Sequence, residues 1–238
     1  MRPAIVLTTL ISLGCLLPAR AEAATLEFSP VVVTLAPGQT TATIEVRNRG
    51  DSPTAVQARA FSWTQTGNDD ALIPTYDIIL SPPIFTVPEG ASQTVRLLLR
   101  RIGGVGRERS YRLLLDEVPL TDAQDKKIAF ALRVSLPVIA ASATSAPPML
   151  QWRAERGAGG ETVLTAVNTG QAFDRVSAIE VTLPDGSHPK VSARGSNTYI
   201  LPDAERHWSV GGGAGAPTGP LRLSVTSRAG ERVYTLAP

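Results

Sequence analysis

The residues that could carry out chemistry are few and widely spaced in this chain of 238 residues. The two histidines stand apart: His188 follows a turn, and His207 lies next to a tryptophan. The only cysteine is Cys15, near the amino terminus. Neither an H-E-x-x-H nor a G-x-S-x-G motif occurs, so no zinc or serine hydrolase site is indicated. The sequence therefore predicts a protein that is not an enzyme and that uses no cofactor.

Two further stretches have the composition of a ligand site but not its context. Asn68, Asp69 and Asp70 offer oxygen atoms of the kind that calcium binds. Three polar residues in a hairpin loop are, however, more typical of a solvated turn. The glycines of 211–215 lie in no strand-to-helix context, and Pro217 follows them, unlike a phosphate-binding loop. We predict no metal site and no nucleotide site.

The amino terminus has the pattern of an export signal. Arg2 precedes an apolar stretch over 5–17, and Ala21 and Ala23 fit a small-x-small cleavage site. The stretch is shorter than the roughly 20 residues of a membrane span. Gly14-Cys15 leaves a lipoprotein signal as the alternative, although Ser12 fits that motif poorly. Residues 1–23 are thus predicted to be a cleaved signal peptide, and no membrane insertion is expected.

The remaining chain has the rhythm of β-structure. Runs of apolar and β-branched residues alternate about every ten residues with Gly, Pro, Asn or Asp, which is typical of antiparallel sandwiches. The predicted strands cover 25–35, 40–48, 54–63, 76–80, 91–100, 110–118 and 127–139, then 161–168, 175–183, 196–201, 206–210, 220–226 and 231–236. A small, proline-ended linker, 141–148, separates a domain over 24–140 from a smaller domain over 149–238. The formal net charge of +2 provides no basis for nucleic-acid binding.

One strand is unusual in its length and in its alternation. Over 127–138 the sequence reads KIAFALRVSLPV, in which Ile128, Phe130, Leu132 and Val134 alternate with small or polar residues. At ~3.4 Å per residue this run would extend over roughly 34 Å. Two interpretations are open: the large side chains enter a partner, or they face the core of their own domain.

Several motifs, in this order, resemble one known family. They are Ser29-Pro30 before VVVTL and Pro37-Gly38-Gln39, then Ser81-Pro82-Pro83 with Phe85, Pro88-Glu89-Gly90 before TVRL, YRLLLDEVP over 111–119, the long strand over 127–138, and ILPDAERHW over 200–208. Together they resemble the periplasmic pilus-assembly chaperones of the PapD-like family. The R-V-S-L-P ending and the absence of a second-domain disulfide are more similar to the spore-coat-U or archaic branch.

The resemblance implies a fold, a function and partners. The fold would be all-β, with two immunoglobulin-like sandwiches joined at an angle into an L. The function would be to cap pilus or fimbrial subunits in the periplasm by donor-strand complementation and to deliver them to an outer-membrane usher. The alternative is an exported adhesive or structural surface protein with two immunoglobulin-like domains.

The resemblance also implies site residues. Ile128, Phe130, Leu132 and Val134 would form the donor strand, and Val31 and Val33 the edge of the cleft on the first strand. The two basic positions that hold the subunit's terminal carboxylate in the classical family fall near Val32 and Ser135, neither of which is basic. We therefore expect Arg133, turned into the cleft by a bulge near Pro137, to be the anchor, with Arg112 as the second candidate. A weak self-capping dimer through 127–138 and 25–35 is expected in the free protein.

Overall fold

The computed structural model describes residues 26–100, 106–118, 131–195, 198–211 and 219–237. These residues are all-β. The strands, in chain order from β1 to β18, are Leu26–Ser29, Val33–Leu35, Thr41–Asn48, Thr54–Thr66, Asp69–Pro74, Ile78–Ser81, Ile84–Val87, Ser92–Leu99, Arg109–Val118, Arg133–Ala140, Leu150–Arg156, Thr162–Asn168, Asp174–Thr182, Val191–Ala193, Tyr199–Ile200, Glu205–Val210, Leu221–Ser227 and Gly230–Leu236.

The first ten strands form a sandwich of two sheets. One sheet has the order β1-β3-β8-β6, and the other has the order β2-β10-β9-β4-β5, with β7 also paired to β4. Alternate residues point inward, so that strands such as β8 show strict alternation of exposed and buried positions. The core between the sheets includes Ile44, Val56, Leu97, Leu113 and Val138.

The last eight strands form a second sandwich, with sheets β11-β12-β16-β14 and β15-β13-β17-β18. Its core includes Leu164, Ile200 and Leu223, and two side chains of the first sandwich, Trp63 and Ile139, pack into the same cluster. The immunoglobulin-like, all-β prediction is therefore confirmed. The predicted linker lies between β10 and β11, where the backbone N–H of Ala146 donates to the side-chain oxygen of Gln171.

Several strand boundaries differ from the sequence-based expectation. The stretch 25–35 is not one strand, because the chain leaves the first sheet after Ser29, passes a cis peptide at Pro30 and joins the other sheet at Val33. Proline has no backbone N–H to donate to a ladder, which suits a crossing point between sheets. Strands β5, β7, β11 and β14 were not predicted. Within β5, Asp69 and Asp70 belong to the strand and the turn is confined to Gly67 and Asn68.

The two sandwiches share a buried asparagine corner. Asn48 ends β3 and Asn168 ends β12, and each is followed two residues later by a glycine whose N–H donates to the asparagine Oδ1. In both corners the asparagine Nδ2 donates to the carbonyl four residues ahead, at 2.7 Å and 2.8 Å. The short N-x-G pattern at a strand end was the available signal.

The corner in the second sandwich predicts a large stability effect. The Asn168 side chain is 0% exposed, donates to the carbonyls of Ala172 and Ile200, and accepts from Gly170 and Met149. Because Asn168→Ala would leave several of these buried groups without partners, we expect it to lower the free energy of unfolding by at least about 2 kcal/mol. Denaturant unfolding measures this. Gln151→Ala, at an exposed position of the same domain, should change it by less than about 0.5 kcal/mol; equal effects would contradict the assignment.

Candidate functional site

Strand β10 has one edge that its own domain covers only in part. Its full length pairs antiparallel with β9, from Arg133 opposite Asp116 to Ala140 opposite Arg109. On the other side, the parallel strand β2 pairs only with Val138–Ala140. In the part of the chain that the structure describes, no strand pairs with residues 133–137 on that side. This open edge presents unpaired backbone groups in a position suited to an added strand.

A groove between the two sandwiches lies beside the open edge. It has a volume of about 500 Å³ and receives residues from both sandwiches. The lining residues are Val31, Val32, Asp70, Leu72, Arg112, Ser135, Pro137, Arg175, Thr198 and Tyr199. Val32 and Ser135, near which the resemblance predicts the classical basic pair, therefore lie in the same groove as Arg112. We call this space the interdomain groove.

Arg112 enters the groove from the outer face of β9. Its neighbours Tyr111 and Leu113 point into the core, so strand alternation directs Arg112 outward, opposite Pro137. Its guanidinium carbon lies 3.8 Å from the ring centroid of Trp63, a cation–π distance. The side chain is only 13% exposed. Burial lowers the pKa of Arg112 from its ordinary value, while Asp70 raises it, and the guanidinium remains charged at neutral pH.

An ion pair between Asp70 of the first sandwich and Arg206 of the second connects the two sandwiches close to Arg112. The Arg206 side chain is 2% exposed and donates to the Asp70 carboxylate, to the carbonyl of Gly67 at 3.2 Å and to that of Tyr199 at 3.1 Å. Asp70 also lies 4.0 Å from Arg112. Asn68 accepts the backbone N–H of His207 at 2.9 Å. The stretch expected to be a solvated turn is therefore an interdomain contact.

Arg133 does not line the groove. It lies four residues before Pro137 on β10, and its side chain is 63% exposed and pairs with Asp116. Asp116 also accepts from Arg59 at 2.6 Å. Partial burial opposes ionisation of Asp116, but the hydrogen bonds from Arg133 and Arg59 hold its pKa below the ordinary value. The ladder from Arg133 to Ala140 is regular, so the bulge expected near Pro137 is absent and nothing turns Arg133 toward the groove.

Val31 and Val33, the two residues predicted to form the cleft edge, lie in different environments, because β2 begins only at Val33. Val31 lines the groove and is 65% exposed. Val33 is 2% exposed in the first core, so it does not form the cleft edge, and Val32 lines the groove in its place. The reason is local: residues 31 and 32 form a bend before the strand, so alternation begins only at Val33.

Of the four predicted donor residues, the structure describes Leu132 and Val134. Ile128 and Phe130 lie outside the described residues. Leu132 is half-buried, and its carbonyl accepts the N–H of Glu117 at 2.8 Å, which extends the β9 pairing beyond β10. Val134 packs against the core of the first sandwich, on the same face as Leu136 and Val138. The side chain of Val134 therefore faces the core of its own domain, which is the second of the two interpretations of this strand.

Each of the two histidines lies beside a threonine hydroxyl of the second sandwich. Nδ1 of His207 lies 2.9 Å from the Thr165 hydroxyl, and Nδ1 of His188 lies 3.3 Å from that of Thr182. Among the described residues, no group of three or more His, Cys, Asp or Glu is placed to hold a metal ion. The same residues contain no helix that is long and apolar enough to cross a membrane.

Comparison with known proteins identifies the family. Residues 25–143 match the family described as pili and flagellar-assembly chaperone, PapD N-terminal domain. The chain is also 23% identical over 161 residues to the fimbrial chaperone YhcA of Escherichia coli (strain K12), covering 68% of this chain and 67% of that protein.

Solved structures show the same two-sandwich fold. The chaperone–tip adhesion subunit complex CsuC–CsuE, from archaic Csu pili of Acinetobacter baumannii, matches with a TM-score of 0.67 and 23% identity over 90% of this chain and 98% of that chain. The SafB chaperone complex with SafA pilin from Salmonella enterica matches with a TM-score of 0.61 and 18% identity, covering 91% and 98%. The YadV chaperone matches with a TM-score of 0.64 and 17% identity, covering 89% and 99%. The family predicted from the motifs is confirmed: the chain belongs to the pilus-assembly chaperones of the PapD type, which act as chaperones and not as enzymes.

Proposed function

We propose that this chaperone caps pilus subunits in the periplasm by lending them a strand, and that it passes them to an outer-membrane usher. The observation that carries the proposal is the open edge of β10, residues 133–137, which ends at the interdomain groove. A subunit that lacks its last strand has an exposed apolar groove and an unpaired sheet edge. A donated strand supplies backbone hydrogen bonds and alternating side chains to both.

The direction of the added strand follows from the position of the groove. β10 runs from Arg133 toward Pro137, and Pro137 lines the groove. A subunit strand that runs parallel to β10 along the open edge would end in the groove with its carboxyl terminus. A strand of the opposite direction would bring a different part of the chain there. The parallel arrangement therefore places a terminal carboxylate beside Arg112.

The donor residues in this proposal are Ile128, Phe130 and Leu132. They have the same parity in sequence as Val134 and Leu136, which face the core of the first sandwich. The apolar face of the long strand would thus continue from the chaperone's own core into the core of the subunit. Val134 would stand at the transition, because it already packs against the chaperone core.

Arg112 is the proposed anchor for the terminal carboxylate. It is mostly buried, it lines the groove, and it keeps its charge next to the indole of Trp63. A buried carboxylate requires a cationic partner. Arg133 is neither buried nor in the groove, because it is exposed and already paired with Asp116.

The relatives support the partners and the location. CsuC is a chaperone in complex with a tip adhesion subunit, and SafB is in complex with a pilin. By extension, pilus subunits are the proposed clients here, the usher is the proposed recipient, and the export signal over 1–23 would deliver the chain to the periplasm. No observation favours the alternative of an adhesive surface protein.

The direct test is co-expression with a pilus subunit that lacks its final strand. We expect a stable one-to-one complex that separates as a single species in size-exclusion chromatography. The same subunit expressed alone should aggregate, because its groove is uncovered. A subunit that remains soluble and monomeric without the chaperone, or that fails to co-purify with it, would contradict the proposal.

The open edge also predicts the behaviour of the free protein. An unpaired strand edge tends to associate, and pairing of two such edges in a symmetric dimer is the simplest closed arrangement. We expect weak self-association through residues 127–138 and 25–35, replaced by the one-to-one complex when subunit is present. Light scattering over a concentration series measures this. A mass that stays at the monomer value at every concentration would rule the dimer out.

A further inference from the structure

Two neighbouring acids at the end of β9, Asp116 and Glu117, contact the first described residues of the long strand. The regular ladder between β9 and β10 begins with Arg133 opposite Asp116. One residue earlier, the backbone N–H of Glu117 still donates to the carbonyl of Leu132 at 2.8 Å. The N–H of Leu132, however, donates to the side-chain carboxylate of Glu117 at 3.1 Å. In an antiparallel pair a backbone carbonyl normally accepts this hydrogen bond, so a side chain replaces it where the ladder ends.

The two carboxylates act from opposite faces of the sheet. Asp116 faces outward and pairs with the side chain of Arg133. Glu117 is two residues from the buried Leu115 and therefore points to the core side of the sheet. Its partner in β4 is Val56, which is 0% exposed. The start of β10 is therefore held by an acidic side chain on each face.

The position of Glu117 is unfavourable for an acid unless it is hydrogen bonded, because a carboxylate on the core side loses part of its hydration. The N–H of Leu132 supplies that hydrogen bond. A bond from an N–H to a carboxylate is charge-assisted and stronger than a bond between neutral groups. Strand ends open more readily than strand interiors, so the contact stabilises the residue that would otherwise leave the sheet first.

We propose that Glu117 is a positioning residue for strand donation: its carboxylate fixes Leu132 at the point where the long strand leaves the chaperone's own sheet. The inference rests on the proposed function, in which the residues before Val134 enter the client. A fixed Leu132 sets which face the preceding side chains present, whereas a slip of one residue would turn them to the opposite face. The client also meets a strand whose base is already ordered, which lowers the entropy cost of binding.

Amide exchange measures the contact in the free protein. Glu117→Ala removes the acceptor, and we expect the Leu132 amide to exchange on the order of tenfold faster, as for loss of a hydrogen bond to a charged group. Glu117→Gln should retain most of the protection, since its carboxamide oxygen can accept the same bond. The amide of Leu136, inside the ladder, should exchange at the wild-type rate in both variants. Hydrogen exchange of the full chain, followed by NMR, gives both rates.

Dissociation of a captured subunit measures the positioning. The complex with a pilus subunit that lacks its final strand is mixed with an excess of labelled wild-type chaperone, and transfer of the subunit is followed. We expect Glu117→Ala to release the subunit on the order of tenfold faster, and Glu117→Gln to stay close to the wild type. Glu180→Ala is the matched control, since Glu180 is an exposed acid of β13 in the second sandwich, and it should leave the release rate unchanged.

The outcomes separate this inference from the proposed function. A wild-type exchange rate of the Leu132 amide in Glu117→Ala would overturn the inference, and so would faster exchange with an unchanged release of subunit. Equal losses in Glu117→Ala and Glu117→Gln would assign the effect to packing and overturn the role of the hydrogen bond. Failure of the wild-type chain to capture any subunit would overturn the proposed function and the positioning with it, whereas the exchange of Leu132 in the free protein would be unaffected.

Discussion

Phe130→Asp is expected to abolish the capture of a pilus subunit while the chaperone remains folded. In the donor-strand arrangement the Phe130 side chain enters the apolar groove of the subunit, and burying such a side chain contributes about 1.5–3 kcal/mol. Aspartate loses this contribution and, in addition, places a carboxylate in an apolar site, which costs several kcal/mol more. The combined loss is large enough to remove the complex at ordinary protein concentrations. Co-purification with a tagged subunit measures it.

Ala131→Asp is the matched control for that substitution. Ala131 is the next residue along the chain and is exposed, so the same charge would lie on the opposite face of the donor strand. We expect this variant to capture subunit at close to the wild-type yield. Both variants should unfold at the wild-type temperature, which separates loss of binding from loss of fold. Wild-type capture by Phe130→Asp, or equal losses in both variants, would contradict the assignment of the donor face.

The fold was accessible from the sequence because its main features are local. Strand alternation has a period of two and requires only neighbouring residues, as in β8, where buried and exposed positions alternate regularly. Turns were recognisable from glycine and proline, for example at Gly38 and Gly90, which adopt positive φ values of 80° and 65°. The strands that were missed are short or polar, such as β14 and β5, and provide too little apolar pattern to be recognised.

The position of the proposed carboxylate anchor was not accessible from the sequence, because the choice between Arg112 and Arg133 depends on sheet register and domain packing. Alternation alone directs both Arg112 and Arg133 to the outer face of their sheet. Only the register shows that Arg112 lies opposite Pro137, at the groove, and that Arg133 lies opposite Asp116, away from it. The partners Asp70 and Arg206 are 136 positions apart in the chain. A sequence that is read locally cannot bring such residues together.

Trp63, which contacts Arg112, illustrates the same limit. The sequence placed it at the end of a strand, as one apolar residue among several. In the structure it is 2% exposed and packs with the core of the second sandwich. Its ring also makes the cation–π contact with Arg112. The groove therefore lies where the outer face of the sheet that contains β4 and β9 meets the second domain.

Arg112→Met is expected to weaken the chaperone–subunit complex by about 3–5 kcal/mol, because removing one partner of a buried ion pair leaves the other charge uncompensated. Methionine keeps much of the side-chain volume against Trp63, so the packing of the groove is largely retained. The affinity of Arg112→Lys for the subunit should lie between those of Arg112→Met and the wild type, since lysine keeps the charge but loses the planar fork and the stacking. The measurement is the dissociation constant of the complex, for example by displacement of subunit from the purified chaperone.

Arg133→Met provides the comparison that decides between the two arginines. Arg133 is 63% exposed and paired with Asp116, and exposed ion pairs of this kind contribute about 0–1 kcal/mol. If Arg112 is the anchor, Arg133→Met binds subunit with nearly wild-type affinity, whereas Arg112→Met does not. A subunit with an amidated chain end should lose affinity for the wild type but lose little more for Arg112→Met, because both changes remove the same ion pair. Additive losses, or a larger loss in Arg133→Met, would move the anchor away from Arg112.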